Sequence, residues 1–419
     1  MTSSFKKKSS KGIGSYPRGT TPSLRNGQLI TSTGVPAIDS LIGLNSVKAV
    51  CILATALTNK LHGEGVMVKR CGGLPIGTTL VVEEDISSSY TNALVKYFLA
   101  EGAVCNHALC LASSSNQPES MLEGLPDIDD SSSFINTVDE PGLDKKHNMN
   151  IAWRYQNLPT VQSSTVTSGL GHSFDLGKVM PKNLISPLET YFFKNNLIAS
   201  EQNKLDHNLN WNTINPVYSS LLCYISRIIS EHGFNKTNSD QLNHDQKVLR
   251  ICVSGLASPL WGCDGRVVLH DNPEIYDQSL LKFLIALKAL LRDSYAVCML
   301  TIPVSVFEDV AYLRRVEKIS DTMIGLESYA DSDKEINPLF RNYHGSFHIR
   351  KLPRISTLVS HIPDTSCLGF KLKRKKFAIE KMFLPPDLSE TVSRAQEDAA
   401  QKTKLSACHN VGHHKSMDF

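Results

Sequence analysis

The stretch GLPIGTTLVVEEDISSSYTNALVKYFLAEG, Gly73 to Gly102, lays out a strand, a turn and a helix in succession. Thr78-Thr79-Leu80-Val81-Val82 is apolar, with Gly77 before it and charge after it, which predicts a short buried strand. Asn92 to Ala100 puts Leu94, Val95, Phe98 and Leu99 on one face at helical spacing. A nucleotide-binding protein places G-x-x-x-x-G-K-[ST] between two such elements. Its glycines bring backbone N–H groups to the phosphates, its Lys neutralises them, and its hydroxyl holds the metal. Here the turn is Glu83-Glu84-Asp85-Ile86-Ser87-Ser88-Ser89-Tyr90-Thr91, with three carboxylates and neither glycine nor lysine. Thr91 and Asn92 stand roughly where Lys and Ser/Thr are expected, and Asp85, Ser87, Ser88 and Ser89 fill the degenerate loop. Carboxylates repel a triphosphate. The turn is then either an unconventional nucleotide contact or a scaffold kept for its shape.

A second position favours the scaffold. The predicted strand Val248 to Ser254 ends in Ser254 where a phosphoryl-transfer site carries an Asp for its metal. Downstream, Val217 to His232 is an amphipathic helix with Gly233 just after its end, and Ser279 to Arg292 is a strongly apolar one. The strand Ala296 to Ile302 follows, then a helix near Val306 to Lys318, a strand at Thr322 to Leu326 and another at Ser346 to Arg350. Alternating strands and helices predict an α/β fold, a mostly parallel sheet flanked by helices.

At 419 residues the chain has room for one large domain with tails, or for two. With 41% hydrophobic and 20% charged residues it reads as soluble and globular, and a net charge of +3 argues for nucleic acid only through local clusters. The 10 cysteines form no CxxC pair, which suits reduced thiols of an intracellular protein rather than disulfides or a zinc framework. No apolar run has the roughly 20 residues a membrane span needs, and the basic start MTSSFKKKSSKG has no apolar core. Residues 1–22 and 395–419 read as disordered tails around a domain at 23–394. Inside it, 113–148 and 160–215 read as long loops.

Several words in order then resemble the RecA-like, P-loop NTPase-type fold, and more narrowly the family of fourth subunits of Elongator, the tRNA wobble-uridine modification complex. They include Ser23 to Gln28, Val35-Pro36-Ala37-Ile38-Asp39, Lys96 to Gly102, Ile151 to Gln156, Ser258-Pro259-Leu260-Trp261-Gly262, Asn337-Pro338-Leu339, Tyr343-His344-Gly345, Phe370 to Lys375 and Leu384 to Arg394. The resemblance implies a subunit with degenerate nucleotide motifs that joins two RecA-like sister subunits, the fifth and sixth, in a heterohexameric ring. Such a ring engages tRNA and docks on the catalytic Elongator core, in cytoplasm and nucleus, supporting carboxymethyl-type modification of the wobble uridine. It implies no cofactor of the chain's own, with ATP admissible at ring interfaces. An active ATPase controlling tRNA release and a protein scaffold without RNA contact stand as alternatives. The family reads G-x-P-x-x-D-x-L-L-G-G-G-L-x-x-G without interruption, whereas Leu44 to Cys71 separates Gly43 from Gly72-Gly73 here. That segment reads as a translated intron or unusual splice product, or as a surface insertion.

Two basic clusters suit an RNA backbone: Arg350, Lys351 and Arg354, and Lys371, Lys373, Arg374 and Lys375. A solvated strand face, an edge strand protected by Lys, or a nuclear localisation signal would use the same residues. Trp153, Tyr155 and Trp261 read as core or interface anchors, and His344 and His348 as structural rather than metal-binding. No catalytic or metal constellation stands out.

Overall fold

The computed structural model describes residues 16–23, 27–43, 72–87, 89–113, 117–129, 170–194, 215–236, 246–261, 278–307, 309–330, 340, 342–355 and 367–382. Segment 44–71, the strand expected at Met149 to Tyr155, the Asn337-Pro338-Leu339 word and the C-terminal tail lie outside them. The elements up to Lys381 belong to one compact unit.

A 9-stranded sheet organises that unit. Its parallel part runs β11 (Thr322–Ser328), β4 (Thr79–Glu83), β10 (Ala296–Ile302), β9 (Leu249–Ser254), β5 (Ala108–Ser113) and β8 (Thr190–Phe193). β12 (Gly345–Lys351), β13 (Leu368–Leu372) and β14 (Phe377–Lys381) extend it antiparallel beyond β11. The central strands β4, β5 and β10 are apolar on both faces because both are covered. Leu80 and Val82 of β4 join the core under α1 (Pro36–Gly43) and α2 (Ser89–Val104), while Val81 joins the opposite core. That second core packs beneath α4 (Pro216–Glu231), α5 (Ser279–Arg292) and α6 (Val310–Ile319), and β10 alternates in the same way through Val297 and Met299 against Cys298 and Leu300. A small antiparallel sheet of β1 (Thr20–Pro22), β2 (Leu29–Thr31) and β3 (Leu74–Pro75) lies in the same unit.

Local chemistry sets the boundaries. Asn215 caps α4 by accepting from Val217 N, Pro216 takes the first turn, and Gly233 beyond the end adopts φ 71°. Helix α6 starts at Val310, later than its periodicity predicts, because Asp309 accepts from Ala311 N at 2.7 Å.

The long-loop reading of 113–148 and 160–215 is corrected. β6 (Pro126–Ile128) pairs with β7 (Phe174–Val179), a short α3 (Lys182–Ile185) follows, and Thr190–Phe193 adds β8 to the main sheet. These elements are short and pair across long stretches of chain, so local periodicity gives them little signal. The tail reading of 1–22 is also too long. β1 begins at Thr20, and the Arg18 carbonyl bonds His107 Nε2 at 2.7 Å. At the other end, residues 383–394 lie outside the described residues.

The ends of segment 44–71 meet. A Cβ on Gly43 would lie 2.1 Å from the Gly72 Cα, so the two glycines stand no farther apart than chain neighbours, about 3.8 Å. Deleting Leu44 to Cys71 joins them with little movement and removes the entropy of closing that loop. The shortened chain is expected to fold with an unchanged or higher thermal midpoint. Loss of soluble protein or a lower midpoint on scanning calorimetry would show that the segment supports the domain.

Candidate functional site

The site sits where β4 hands over to α2, at the carboxyl edge of the parallel strands. A helix begins with N–H groups that have no partner inside the helix, and together with the helix dipole they attract an anion. In a phosphate loop that anion is the nucleotide. Here it is Asp85, whose buried carboxylate accepts from Ser89 N and Thr91 N, both at 3.1 Å, from Thr91 Oγ1 at 2.9 Å and from Ser87 Oγ at 3.0 Å. The chain fills its own anion seat.

The neighbouring carboxylates are also engaged. Glu84 accepts from Thr301 Oγ1 on β10, and that hydroxyl in turn accepts from Gly255 N at 2.8 Å. Glu83 accepts from Arg350 Nε at 3.0 Å across β11, over Gly325, where a Cβ would lie 2.3 Å from the Glu83 carboxylate. Of the three carboxylates only Asp85 takes the seat, and its neighbours bond elsewhere. Thr91 is buried in this cap and Asn92 is exposed on the first turn of α2. Ser88 lies outside the described residues. Ser254 ends β9 opposite Ser113, so β9 itself ends in a hydroxyl rather than a carboxylate.

A buried charge lies deeper, and sequence reasoning missed it. Arg250 of β9 is fully buried, with its guanidinium stacked 4.7 Å from the centre of the Phe98 ring. It donates to His107 Nδ1, Thr31 Oγ1 and Ser32 O at 2.9 Å, and to Phe98 O at 3.1 Å. Burial, and then the Arg250 charge, push His107 down to about 3, so it stays neutral and accepts. Asp39, held by Ser32 and Thr33, is raised by burial to about 7. This network ties β2, α1, α2, β5 and β9 together. The available signal was one Arg inside the otherwise apolar run Ile251-Cys252-Val253 and its flanks.

The PAXNEB protein family model matches residues 70–419, beginning where the interrupting segment ends. The chain belongs to the PAXNEB family. It is 37% identical to "Elongator complex protein 4" of Xenopus laevis, over 99% of this chain and 95% of that one. It is 39% identical to the protein of the same name from Homo sapiens, over 92% and 84% of the two chains. A solved KaiC-like protein from Pyrococcus horikoshii aligns with 84% of this chain and 98% of its own, at TM-score 0.35 and 14% identity. At that overlap the likeness carries no argument, and the α/β fold rests on the strand order above.

In this PAXNEB chain the two basic clusters divide by occupation. Arg350 is paired with Glu83, and Lys351 Nζ donates to the Glu317 and Lys318 carbonyls near the end of α6. Burial, and then the nearby Lys288, hold Lys351 below the usual lysine range. Arg354 is exposed past the end of β12. Lys371 pairs with Glu380 at 2.7 Å and lies 4.6 Å from the Tyr343 ring centre. Lys373, Arg374 and Lys375 sit exposed, together with Lys376, in the tight turn joining β13 to β14. That turn is closed by Lys373 N donating to Lys376 O at 2.9 Å and is braced by Leu176 N of β7 donating to Lys375 O at 2.6 Å.

The edge-strand reading of Phe370 to Lys373 is corrected, because β13 is paired on both sides and β14 is the edge. His344 and His348 have separate partners, Leu372 N at 3.0 Å and Glu327 at 2.8 Å, in keeping with structural roles. Trp261 is a core residue under the second helical face, whereas Trp153 and Tyr155 lie outside the described residues. Among the described residues, no helix is long and apolar enough to cross a membrane.

Proposed function

We propose that this chain is a non-catalytic subunit of Elongator, assembling with two RecA-like sister subunits into a heterohexameric ring that engages tRNA and supports wobble-uridine modification. The Asp85 carboxylate in the seat of a phosphate carries the non-catalytic half of this reading. A phosphoryl-transfer site must position and neutralise its phosphates, and this turn offers a fixed negative charge instead. Any ATP of the ring is held at interfaces that use the sister subunits' residues. Relatives named as an Elongator subunit support the other half. We place the protein in cytoplasm and nucleus, where such a complex meets tRNA. Native mass spectrometry of the co-purified assembly tests the ring: a heterohexamer with two related subunits is expected, and a stable lone monomer would sink it.

We assign RNA contact to the β13–β14 turn, since Lys373, Arg374 and Lys375 are exposed, with Lys373 at 3.9 Å from Glu380, while Arg350, Lys351 and Lys371 are held by closer intramolecular bonds. Replacing Lys373, Arg374 and Lys375 together with Ala in the assembled complex should weaken tRNA binding roughly tenfold or more. The slope of log affinity against log salt should become shallower by about 2–3. Arg350→Ala should leave that slope unchanged. If the triple variant binds with the parental affinity and slope, the ring acts as a protein scaffold or contacts RNA elsewhere.

A further inference from the structure

Helix α2 ends at Val104, and its last turn carries Glu101 on the same face as Cys105, four positions on and just past the helix end. His172, shortly before β7, reaches this pair from a distant part of the chain. Its Nδ1 lies 3.3 and 3.2 Å from the two Glu101 carboxylate oxygens, and Cys105 Sγ lies 3.4 Å from Glu101 Oε1. One donor atom from each of the three residues falls within 4.8 Å of the others. Around a four-coordinate zinc-type ion, with Zn–S near 2.3 Å and Zn–N and Zn–O near 2.0–2.2 Å, adjacent donors stand about 3.3–3.7 Å apart. Two edges of the cluster already have that spacing.

The surroundings leave these donors available. The hydrogen bonds from Arg250 described above go to His107, Phe98, Thr31 and Ser32, all neutral acceptors, and not to Glu101. Glu101 instead accepts from His172 N at 3.1 Å, His172 Nδ1 and the Cys105 thiol. Glu101 and Cys105 are buried, whereas the His172 side chain is 42% exposed, which opens one side to water. A divalent cation, one carboxylate, one thiolate and a neutral imidazole sum to zero charge. The site therefore adds no net charge beside Arg250.

We propose that Glu101, Cys105 and His172 bind one divalent cation of the zinc class, with water in the fourth position. On binding, metal–sulfur and metal–nitrogen bonds form, the Cys105 S–H bond breaks and its proton leaves to solvent, and the proton that His172 Nδ1 donates to Glu101 leaves with it or moves to Nε2, with no change of redox state. The ion would pin the start of β7 to α2. Because Leu176 of β7 braces the Lys375 carbonyl, occupancy would also steady the basic β13–β14 turn.

The test uses the full chain, stripped by chelator, in a Cys367→Ser background that removes an exposed competing thiol. Titration with Co2+ should give one ion per chain and a near-ultraviolet thiolate-to-cobalt charge-transfer band. Cys105→Ser should abolish the band, and His172→Ala should weaken binding roughly tenfold or more. Zn2+ should raise the thermal midpoint of the parent more than that of His172→Ala. His172 is half-exposed, so its variant decides the matter if Cys105→Ser does not fold. Absence of the band in the parent, or a band and affinity unchanged by His172→Ala, overturns the site.

Discussion

Replacing Arg250 with Leu is expected to destabilise the domain more than any other single change considered, by about 3–5 kcal/mol. For a domain of this size that corresponds to a fall in thermal midpoint of roughly 10 °C. The Arg250 side chain is wholly buried, so its loss is not compensated by water. Leu fills much of the space yet donates nothing, leaving Phe98 O, Ser32 O, Thr31 Oγ1 and His107 Nδ1 without the bonds that satisfy them. It also strands the buried Glu101 carboxylate beside no cation but a half-exposed His172. Burial opposes ionisation of Glu101, while its bonds from His172 and the Arg250 charge outweigh that and hold it below the usual carboxylate range. Arg250→Lys keeps a charge but loses the planar fork that reaches four acceptors, and should fall between the two. Thermal unfolding of the three proteins should give the order Arg, Lys, Leu from most to least stable. A Leu variant within about 1 kcal/mol of the parent would mean that the guanidinium is tolerated rather than needed.

Arg250 also marks the limit of what the chain reveals before folding. The elements that bury long apolar runs are legible: Ser279–Arg292 and Ala296–Ile302 fall where periodicity and composition place them. So does the strand–turn–helix from Thr79 to Val104, because its turn chemistry is visible in the residues themselves. What local pattern misses is pairing between distant segments. Thr190–Phe193 is an aromatic-rich run that could have been read as a strand, but the polar chain around it masks the signal. The approach of His172 to Glu101 has no sequence signature at all, since neither spacing nor composition connects positions so far apart. The basic clusters show a third kind of limit. Their charges are plain in the sequence, but that Arg350 is bound to Glu83 depends on register across β4, β11 and β12.

The Asp85 cap yields the second large effect, and it tests whether the start of α2 conceals a nucleotide site. Asp85→Ala removes four accepted hydrogen bonds at the start of α2 and should cost about 1–3 kcal/mol of stability, read as a lower thermal midpoint. Asp85→Asn keeps an acceptor oxygen and should recover part of this. With the carboxylate gone, the Ser89 and Thr91 amides are left facing an emptied anion seat, so inorganic phosphate should raise the midpoint of Asp85→Ala more than that of the parent. ATP hydrolysis should nonetheless stay at background in the variant. Glu83 and Glu84 remain, no lysine stands in the turn, and β9 still ends in Ser254 rather than a metal-binding carboxylate. Hydrolysis appearing in Asp85→Ala would mean that one side chain was holding a competent site shut. Phosphate stabilisation without turnover would mean that the helix end kept its affinity for anions after the residues for phosphoryl transfer had gone, with Asp85 supplying the anion from within.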